Sequence, residues 1–204
     1  MNRIFRIIRS GLALPIFYQL WWEAVGGAAC ASVLVREYLS PSNGARILEI
    51  GCGPGTILPY LPQSEYVGFD LNSEYIERAR SRFPQAQFVC ARVIQYRLAE
   101  QKSFDAVLAV GIVHHLADEE AKHLFQIAHG ALKTGGKLVT MDPVRTRDQS
   151  PAVRWLFDRD RGEYIRDQAG YLQIASQVFT RHQAVVRSDL LRIPYTHLIL
   201  QCVR

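Results

Sequence analysis

The chain has 204 residues, of which 49% are hydrophobic and 21% charged, and its formal net charge is +5 at pH 7. This length and composition suit one globular domain with a substantial core and argue against a second domain. The modest positive charge favours an anionic substrate or surface but does not by itself indicate nucleic acid.

The cysteines lie far apart in the sequence and form no C-x-x-C pair. They are Cys30, Cys52, Cys90 and Cys202. This spacing predicts neither a zinc site nor a disulfide framework. We therefore expect no bound metal ion and a cytoplasmic location.

The N-terminal residues superficially match a secretory signal, because three arginines precede an apolar segment at 12–22. However, Glu23 interrupts that segment, and a helical pattern continues through residues 31–38. The apolar segment is also too short to span a bilayer. We therefore expect residues 1–44 to form a helical cover for the domain and not a cleaved signal.

Residues 2–10 have a helical period that places three arginines on one side and three isoleucines on the other. Two interpretations of this basic amphipathic helix stay open. Its basic face could lie on an anionic membrane surface, or it could be the solvated face of a helix that packs over the domain.

Beyond a turn-rich break at residues 40–44, predicted strands and helices alternate along the chain. The predicted strands are 46–50, 65–69, 86–90, 104–110, 137–141, 183–190 and 196–203. The predicted helices are 55–61, 73–82 behind a cap at Asn72 or Ser73, one from a cap at Asp118 to a stop at 135–136, and 168–178. This alternation predicts an α/β fold with a parallel sheet and helices on both faces.

Three glycines spaced two apart follow the first strand directly. Gly51, Gly53 and Gly55 favour positive φ angles and let the backbone approach a ligand that a β-carbon would obstruct. Asp70 comes 19 positions after Gly51, at the end of the next strand. In doubly wound folds an acid at about this distance accepts hydrogen bonds from ribose hydroxyls, although an acid here could also cap the next helix. Thr56 stands where a dinucleotide fingerprint has its third glycine, which disfavours a nicotinamide dehydrogenase.

Together with Glu49, the glycine turn resembles the first motif of the class I S-adenosylmethionine-dependent methyltransferases. The resemblance continues through residues 104–110, 111–116 and 132–138, in the family's order and spacing. It implies S-adenosylmethionine as cofactor and a Rossmann-like, doubly wound fold. The sheet would have seven strands, mostly parallel, with an antiparallel C-terminal hairpin. Within a single domain, residues 45–142 would then bind the cofactor, and residues 143–204 would supply a substrate-side insert and the closing hairpin.

The resemblance also implies roles for individual residues. Glu49 would hold the methionine ammonium, with a salt bridge to Arg46 as the structural alternative, and Asp70 would hold the ribose. The other cofactor-binding residues would be Gly51, Gly53, Gly55, Leu71, Arg92, Val93 and Val110. Arg92 departs from the family, which often has an acid there for the adenine amino group. Since an arginine side chain has no acceptor, only its backbone carbonyl could take that role.

Two histidines, His114 and His115, follow the fourth predicted strand, at the edge where open α/β sheets place ligands. An imidazole with a pKa of about 6.5 could take a proton from an acceptor hydroxyl. A structural role in the turn is the alternative for both. The candidate substrate contacts are Tyr18, Asp142, Tyr164 and Arg166, with salt bridging or core packing as the alternative.

The expected activity is methyl transfer from S-adenosylmethionine to a small organic acceptor, at an oxygen rather than a carbon or nitrogen. A lipid or quinone acceptor at the membrane surface would fit the basic, apolar N-terminus. A cofactor-binding protein without catalysis is a further alternative. No nucleic-acid partner is expected, because neither Asn-Pro-Pro-Tyr nor Asp-Pro-Pro-Tyr follows the fourth strand.

Overall fold

The computed structural model describes residues 15–158, 160 and 162–204. The helix predicted over residues 2–10 lies outside these residues. The side chain of Tyr18 is also outside the described part, although its backbone belongs to the first helix.

The described residues form one seven-stranded sheet in the order β3-β2-β1-β4-β5-β7-β6. The strands are β1 Arg46–Ile50, β2 Glu65–Asp70, β3 Gln87–Cys90, β4 Phe104–Val110, β5 Leu132–Pro143, β6 Arg181–Arg187 and β7 His197–Val203. Strands β1 to β5 pair in parallel, whereas β7 pairs antiparallel with both β5 and β6. This arrangement confirms the predicted fold class, including the antiparallel hairpin.

Six α-helices of the described residues surround the sheet. They are α1 Pro15–Ala24, α2 Gly27–Val33, α3 Ser73–Arg82, α4 Asp118–Ala131, α5 Pro151–Phe157 and α6 Gln168–Ala175. A π-helical segment, Leu34–Leu39, continues α2. None of the described helices combines the length and the apolar character that a bilayer-spanning segment needs.

The core lies on both faces of the sheet, because apolar residues predominate on both sides of the central strands. Along β1, Leu48 and Ile50 belong to one buried cluster, whereas Ile47 belongs to the other. The first cluster includes side chains of α4 and α6, and the second includes side chains of α2 and α3. Parallel strands that are buried on both faces need this continuous apolar sequence.

Several element boundaries differ from the prediction for identifiable reasons. The helix predicted over 55–61 is only a 3₁₀ turn, Leu58–Tyr60, because Pro59 lacks the N–H that a longer helix would use. The helix expected to stop at 135–136 ends at Ala131, and β5 begins at the next residue. Its N-cap is Ala117, so Asp118 is the first helical residue and not the cap.

In the second half of the chain, the observed helices and strands differ less from the predicted ones. Helix α5 was not predicted; the side chain of Ser150 caps it and Pro151 opens it. Helix α6 ends three residues before the predicted boundary at 178. Strand β6 begins at Arg181 and ends at Arg187, so it lies slightly N-terminal to the predicted strand 183–190.

Candidate active site

A cleft of about 440 Å³ opens at the carboxyl edge of the parallel strands. Its walls come from the segments that follow β1, β2, β3 and β4. The lining residues that matter most here are Gly51, Gly53, Asp70, Leu71, Val93 and His115. Open α/β sheets place their ligands at this edge.

The glycine turn forms one wall of the cleft, and two of its glycines are required for different reasons. Gly51 has φ +72°, and a Cβ there would lie 2.5 Å from Cδ1 of Ile112. Gly53 has φ +52°, and a Cβ there would meet only Tyr75, at 4.0 Å. The backbone at Gly53 is therefore open to the cleft, so a ligand can approach it closely.

Asp70 ties the glycine turn to the end of β2. Its Oδ2 accepts a hydrogen bond from the Gly53 N–H at 3.0 Å, and its Oδ1 accepts one from the Asn72 N–H at 2.8 Å. Burial raises the pKa of Asp70, and these N–H bonds oppose the increase. An ionised carboxylate has about four acceptor positions, so roughly two remain for a ligand. The N-cap of α3 is Asn72 and not Asp70.

Glu49 is buried beneath the turn and does not line the cleft. Its carboxyl group accepts a hydrogen bond from the Tyr66 hydroxyl. Burial raises the pKa of Glu49 to about 8; the Tyr66 hydrogen bond opposes this increase and the charge of Asp70 adds to it. The alternative partner considered for Glu49, Arg46, instead pairs with Glu65 and Glu100. The ammonium-binding role of Glu49 stays a prediction.

The remaining predicted cofactor residues fall into two groups. Leu71, Arg92, Val93 and Val110 line the cleft, and Leu71 is 72% exposed, so its side chain is accessible to a ligand. Gly55 is not part of the lining; a Cβ at Gly55 would meet the ring of Phe83 at 3.0 Å.

The two adjacent histidines belong to a 3₁₀ turn, Val113–His115, shortly after β4. His115 is exposed and lines the cleft. His114 is buried, and its ring centroid is 4.1 Å from that of His115. The structure therefore brings only His115 to the cleft wall, while His114 lies behind it.

His114 connects two carboxylates from different parts of the chain. Its Nδ1 is 2.8 Å from Oδ1 of Asp142, and its backbone N–H donates to the same oxygen. Its Nε2 is 3.4 Å from Oδ1 of Asp160. Burial alone would lower the pKa of His114, but the hydrogen bonds and charges of the two aspartates outweigh it and raise the pKa to about 9. Protonated at neutral pH, His114 cannot accept a further proton.

Asp160 is held by further contacts with the insert and the hairpin. Its Oδ1 accepts from the Gly162 N–H at 2.7 Å, and its Oδ2 accepts from the Tyr195 hydroxyl. Burial would raise the pKa of Asp160, but the hydrogen bond and charge of His114 lower it well below the usual range. The nearby His197 is also buried, and burial lowers its pKa to about 4, so it is neutral at neutral pH.

The predicted substrate contacts in the insert instead support the histidine turn. Arg166 donates to Oδ1 of Asp118 at 2.6 Å and to the carbonyl oxygen of Leu116 at 2.8 Å. The Tyr164 N–H donates to the carbonyl oxygen of His114, and its side chain is partly exposed. Asp142 is buried against His114. Their direct contact with a substrate stays a prediction.

Sequence reasoning missed several residues of this region. Asn72, Tyr75, Ile112 and Glu120 also line the cleft, and a helix-cap pattern at Asn72 was the only local signal among them. Tyr195 and His197 join the network around Asp160 and Asp142 from a segment far along the chain. No local pattern indicates such a long-range contact.

Comparisons with known sequences consistently find methyltransferases. A family model described as a methyltransferase domain matches residues 47–136. Trans-aconitate 2-methyltransferase of Rhodopseudomonas palustris is 32% identical over 102 residues, which cover 48% of this chain and 38% of that protein. An uncharacterized methyltransferase of Synechocystis is 30% identical over 135 residues, covering 65% of this chain and 60% of that protein. The chain thus spans less than two thirds of the length of these curated relatives.

The fold also has solved counterparts. Phosphoethanolamine N-methyltransferase 2 of Haemonchus contortus was solved in complex with phosphomonomethylethanolamine and S-adenosylhomocysteine. It aligns with a TM-score of 0.68 at 17% identity, over 85% of this chain and 52% of that chain. At this identity, the likeness shows a shared fold.

Gly162→Ala should disturb the packing of the insert on His114. A Cβ at this position would lie 1.9 Å from Cδ2 of His114 and 2.9 Å from its carbonyl oxygen. We expect the substitution to lower the free energy of unfolding by about 1 to 3 kcal/mol in urea denaturation. Gly130→Ala, inside α4, is the matched control, because alanine there favours the helix and meets only a leucine methyl group at 3.3 Å. Equal stability of the two variants would contradict the described packing.

Proposed function

The chain belongs to the class I S-adenosylmethionine-dependent methyltransferases, and from this premise we propose that it transfers the methyl group of S-adenosylmethionine to a small organic acceptor. The observation that carries the proposal is the pairing of Asp70 with Gly53 at an open cleft. The Asp70 carboxylate and the accessible backbone of Gly53 are therefore adjacent in the cleft. This arrangement suits a ligand that consists of a nucleoside and a polar tail.

The residues of the cleft fit each part of the cofactor. Asp70 keeps acceptor capacity for the ribose hydroxyls, and the exposed Leu71 with Val93 offers apolar contact for the adenine. The backbone at Gly53 lets the methionine part lie against the turn. Glu49 is buried behind the glycine turn and does not line the cleft. We therefore assign the ammonium group to Glu49 through a bridging water molecule, and a cation at this distance would oppose the rise in its pKa.

The chemistry requires little covalent machinery from the protein. The carbon–sulfur bond of the sulfonium breaks as the acceptor atom forms its bond to the methyl carbon, and the electron pair stays on sulfur. The protein mainly has to hold the two reactants in line and exclude water. When the acceptor is a hydroxyl, its proton must also leave.

We assign the acceptor side of the cleft to the segment around His115. This residue lines the cleft together with Leu116 and Glu120, on a segment separate from the glycine turn. We propose an oxygen acceptor whose proton loss is promoted through His115. His114 is protonated up to a pH of about 9, so it serves to position the turn and not as a base. Trans-aconitate, in the name of one relative, is an example of a small organic molecule on which a related enzyme acts.

Cofactor binding tests the first part of the proposal. We expect S-adenosylhomocysteine to bind in calorimetric titration, and Asp70→Asn to weaken it by about 10- to 150-fold, because charge-assisted bonds to hydroxyls are worth about 1.5 to 3 kcal/mol. Asn keeps one acceptor oxygen, so it can accept from the Gly53 N–H but not also from the Asn72 N–H. Circular dichroism of the variant checks that the fold persists. Asp189→Asn, an acid-to-amide change outside the cleft, is the control. Unchanged affinity in Asp70→Asn, or comparable binding of a nicotinamide dinucleotide, would refute the assignment.

A turnover assay tests the second part of the proposal, which is methyl transfer to a hydroxyl acceptor with the help of His115. Release of S-adenosylhomocysteine is measured over a panel of small hydroxyl-bearing and carboxylate-bearing acceptors. With a hydroxyl acceptor, His115→Gln should reduce kcat by roughly 10²- to 10⁴-fold while cofactor affinity changes little. In this variant, the dependence of kcat on pH should also change on its acidic side.

The control for turnover is His182→Gln, at an exposed histidine on β6, which should match the parent protein. If His115→Gln keeps the rate and the pH profile, His115 has no part in proton loss. If the protein binds the cofactor but methylates no acceptor of the panel, the non-catalytic alternative is favoured.

A further inference from the structure

A cluster that the proposed chemistry leaves unexplained reaches the acceptor side of the cleft through His115, whereas its other two members lie behind the cleft wall. His114, His115 and Asp160 each offer one ligand atom, and these atoms lie within 4.8 Å of one another. His115 is exposed, Asp160 is half-buried and His114 is buried, so the cluster opens towards solvent on one side. A simple proton acceptor would need only one of these groups.

The geometry of His114 is that of a metal-binding imidazole. A histidine that binds a metal through one ring nitrogen usually has the other ring nitrogen bonded to a carboxylate or carbonyl group. In His114, Asp142 occupies Nδ1 at 2.8 Å and its other oxygen, Oδ2, has no partner among the described residues. The nitrogen that remains, Nε2, is the one nearest Asp160.

The spacing between His114 and Asp160 also suits two ligands of one ion. Nε2 and Oδ1 are 3.4 Å apart, which is long for a hydrogen bond. Two ligands on a tetrahedral ion with bonds of about 2.0 to 2.1 Å are roughly 3.3 to 3.4 Å apart. Asp160 is itself fixed by Gly162 and Tyr195, as ligating carboxylates commonly are. The ligand atom of His115 lies within 4.8 Å of those of His114 and Asp160.

The local charge favours a divalent cation. His114 carries a proton between Asp142 and Asp160, and among the described residues neither carboxylate forms an ion pair with a lysine or an arginine. A divalent cation bound at Nε2 would replace that proton and add positive charge beside Asp160. Two imidazoles and one carboxylate are ligands that suit first-row transition metals and not Mg²⁺, which prefers oxygen ligands. Three protein ligands also leave coordination positions open, as in catalytic metal sites.

We propose that His114, His115 and Asp160 bind a divalent first-row transition-metal ion, such as Zn²⁺, at the acceptor side of the cleft. An open position on this ion would hold the acceptor oxygen and lower the pKa of its hydroxyl group, so that the proton is released to solvent. His115 then acts on the acceptor through the ion. This role towards the acceptor rests on the proposed function, whereas ion binding does not. The expectation of no metal came from the cysteine spacing, which carries no information about histidine and aspartate ligands from distant segments.

The test uses the untagged full-length protein, freed of metal with a chelator and titrated with Co²⁺. We expect one equivalent of Co²⁺ to produce the visible d–d absorption of a four- or five-coordinate ion. Zn²⁺ should abolish this absorption and Mg²⁺ should not. His115→Ala and Asp160→Asn should each weaken Co²⁺ binding at least about tenfold, and Asp142→Asn by roughly 10- to 100-fold.

His182→Ala should bind Co²⁺ like the parent protein, because this exposed histidine lies on β6, outside the cluster. Circular dichroism of each variant checks the fold. Because His115 is exposed, we expect His115→Ala to fold, so this variant still tests the metal site if Asp160→Asn unfolds. A spectrum of the hexaaqua ion alone, or unchanged binding in His115→Ala, would overturn the metal site.

Titration with S-adenosylhomocysteine in parallel separates the two proposals. Cofactor binding without Co²⁺ binding overturns the metal site alone, and Co²⁺ binding without cofactor binding overturns the proposed function alone. Turnover that disappears with the chelator and returns with Zn²⁺ supports the role towards the acceptor. Equal turnover of the metal-free and reconstituted protein overturns that role.

Discussion

The parallel register of the central strands determines where the strand-end groups of the candidate site lie. Ile50 at the end of β1 pairs with Phe69 of β2, so the residues that follow them, Gly51 and Asp70, emerge together at one edge. Val110 of β4 pairs with Met141 of β5, so the histidine turn emerges beside Asp142. A shift of one residue would turn each side chain to the opposite face of the sheet. The buried apolar residues on both faces prevent such a shift.

These two pairs of strand ends form two halves of the cleft, and different contacts hold the residues of each half in place. The cofactor half needs only the glycine turn and Asp70, which local backbone N–H groups hold in place. The acceptor half depends on His114, which joins β5 through Asp142 and the insert through Asp160. Removing one partner from a buried ionic group typically costs about 3 to 5 kcal/mol, so the insert and the histidine turn are energetically coupled.

The sequence predicted the cofactor half far better than the acceptor half. The strands, the glycine turn and Asp70 follow from local patterns, because their positions depend on contacts that are near in sequence or imposed by the sheet. The prediction of a helix at 55–61 was wrong because Pro59 and Gly55 oppose a helix that the apolar residues of this segment favour. The approach of Asp160 to His114, and of Tyr195 to Asp160, depends on how the irregular insert and the hairpin loop fold back, for which no periodic pattern exists.

An amide and side-chain NMR titration of the full chain with S-adenosylhomocysteine tests most directly where the cofactor binds. We expect the largest chemical-shift changes at Gly51, Gly53, Leu71 and Val93, with smaller changes at His115. We expect no change in the polar groove between α4 and α6, which Lys122 and Gln173 line. Shifts concentrated in that groove, with the glycine turn unaffected, would contradict the assignment of the cleft as the cofactor site.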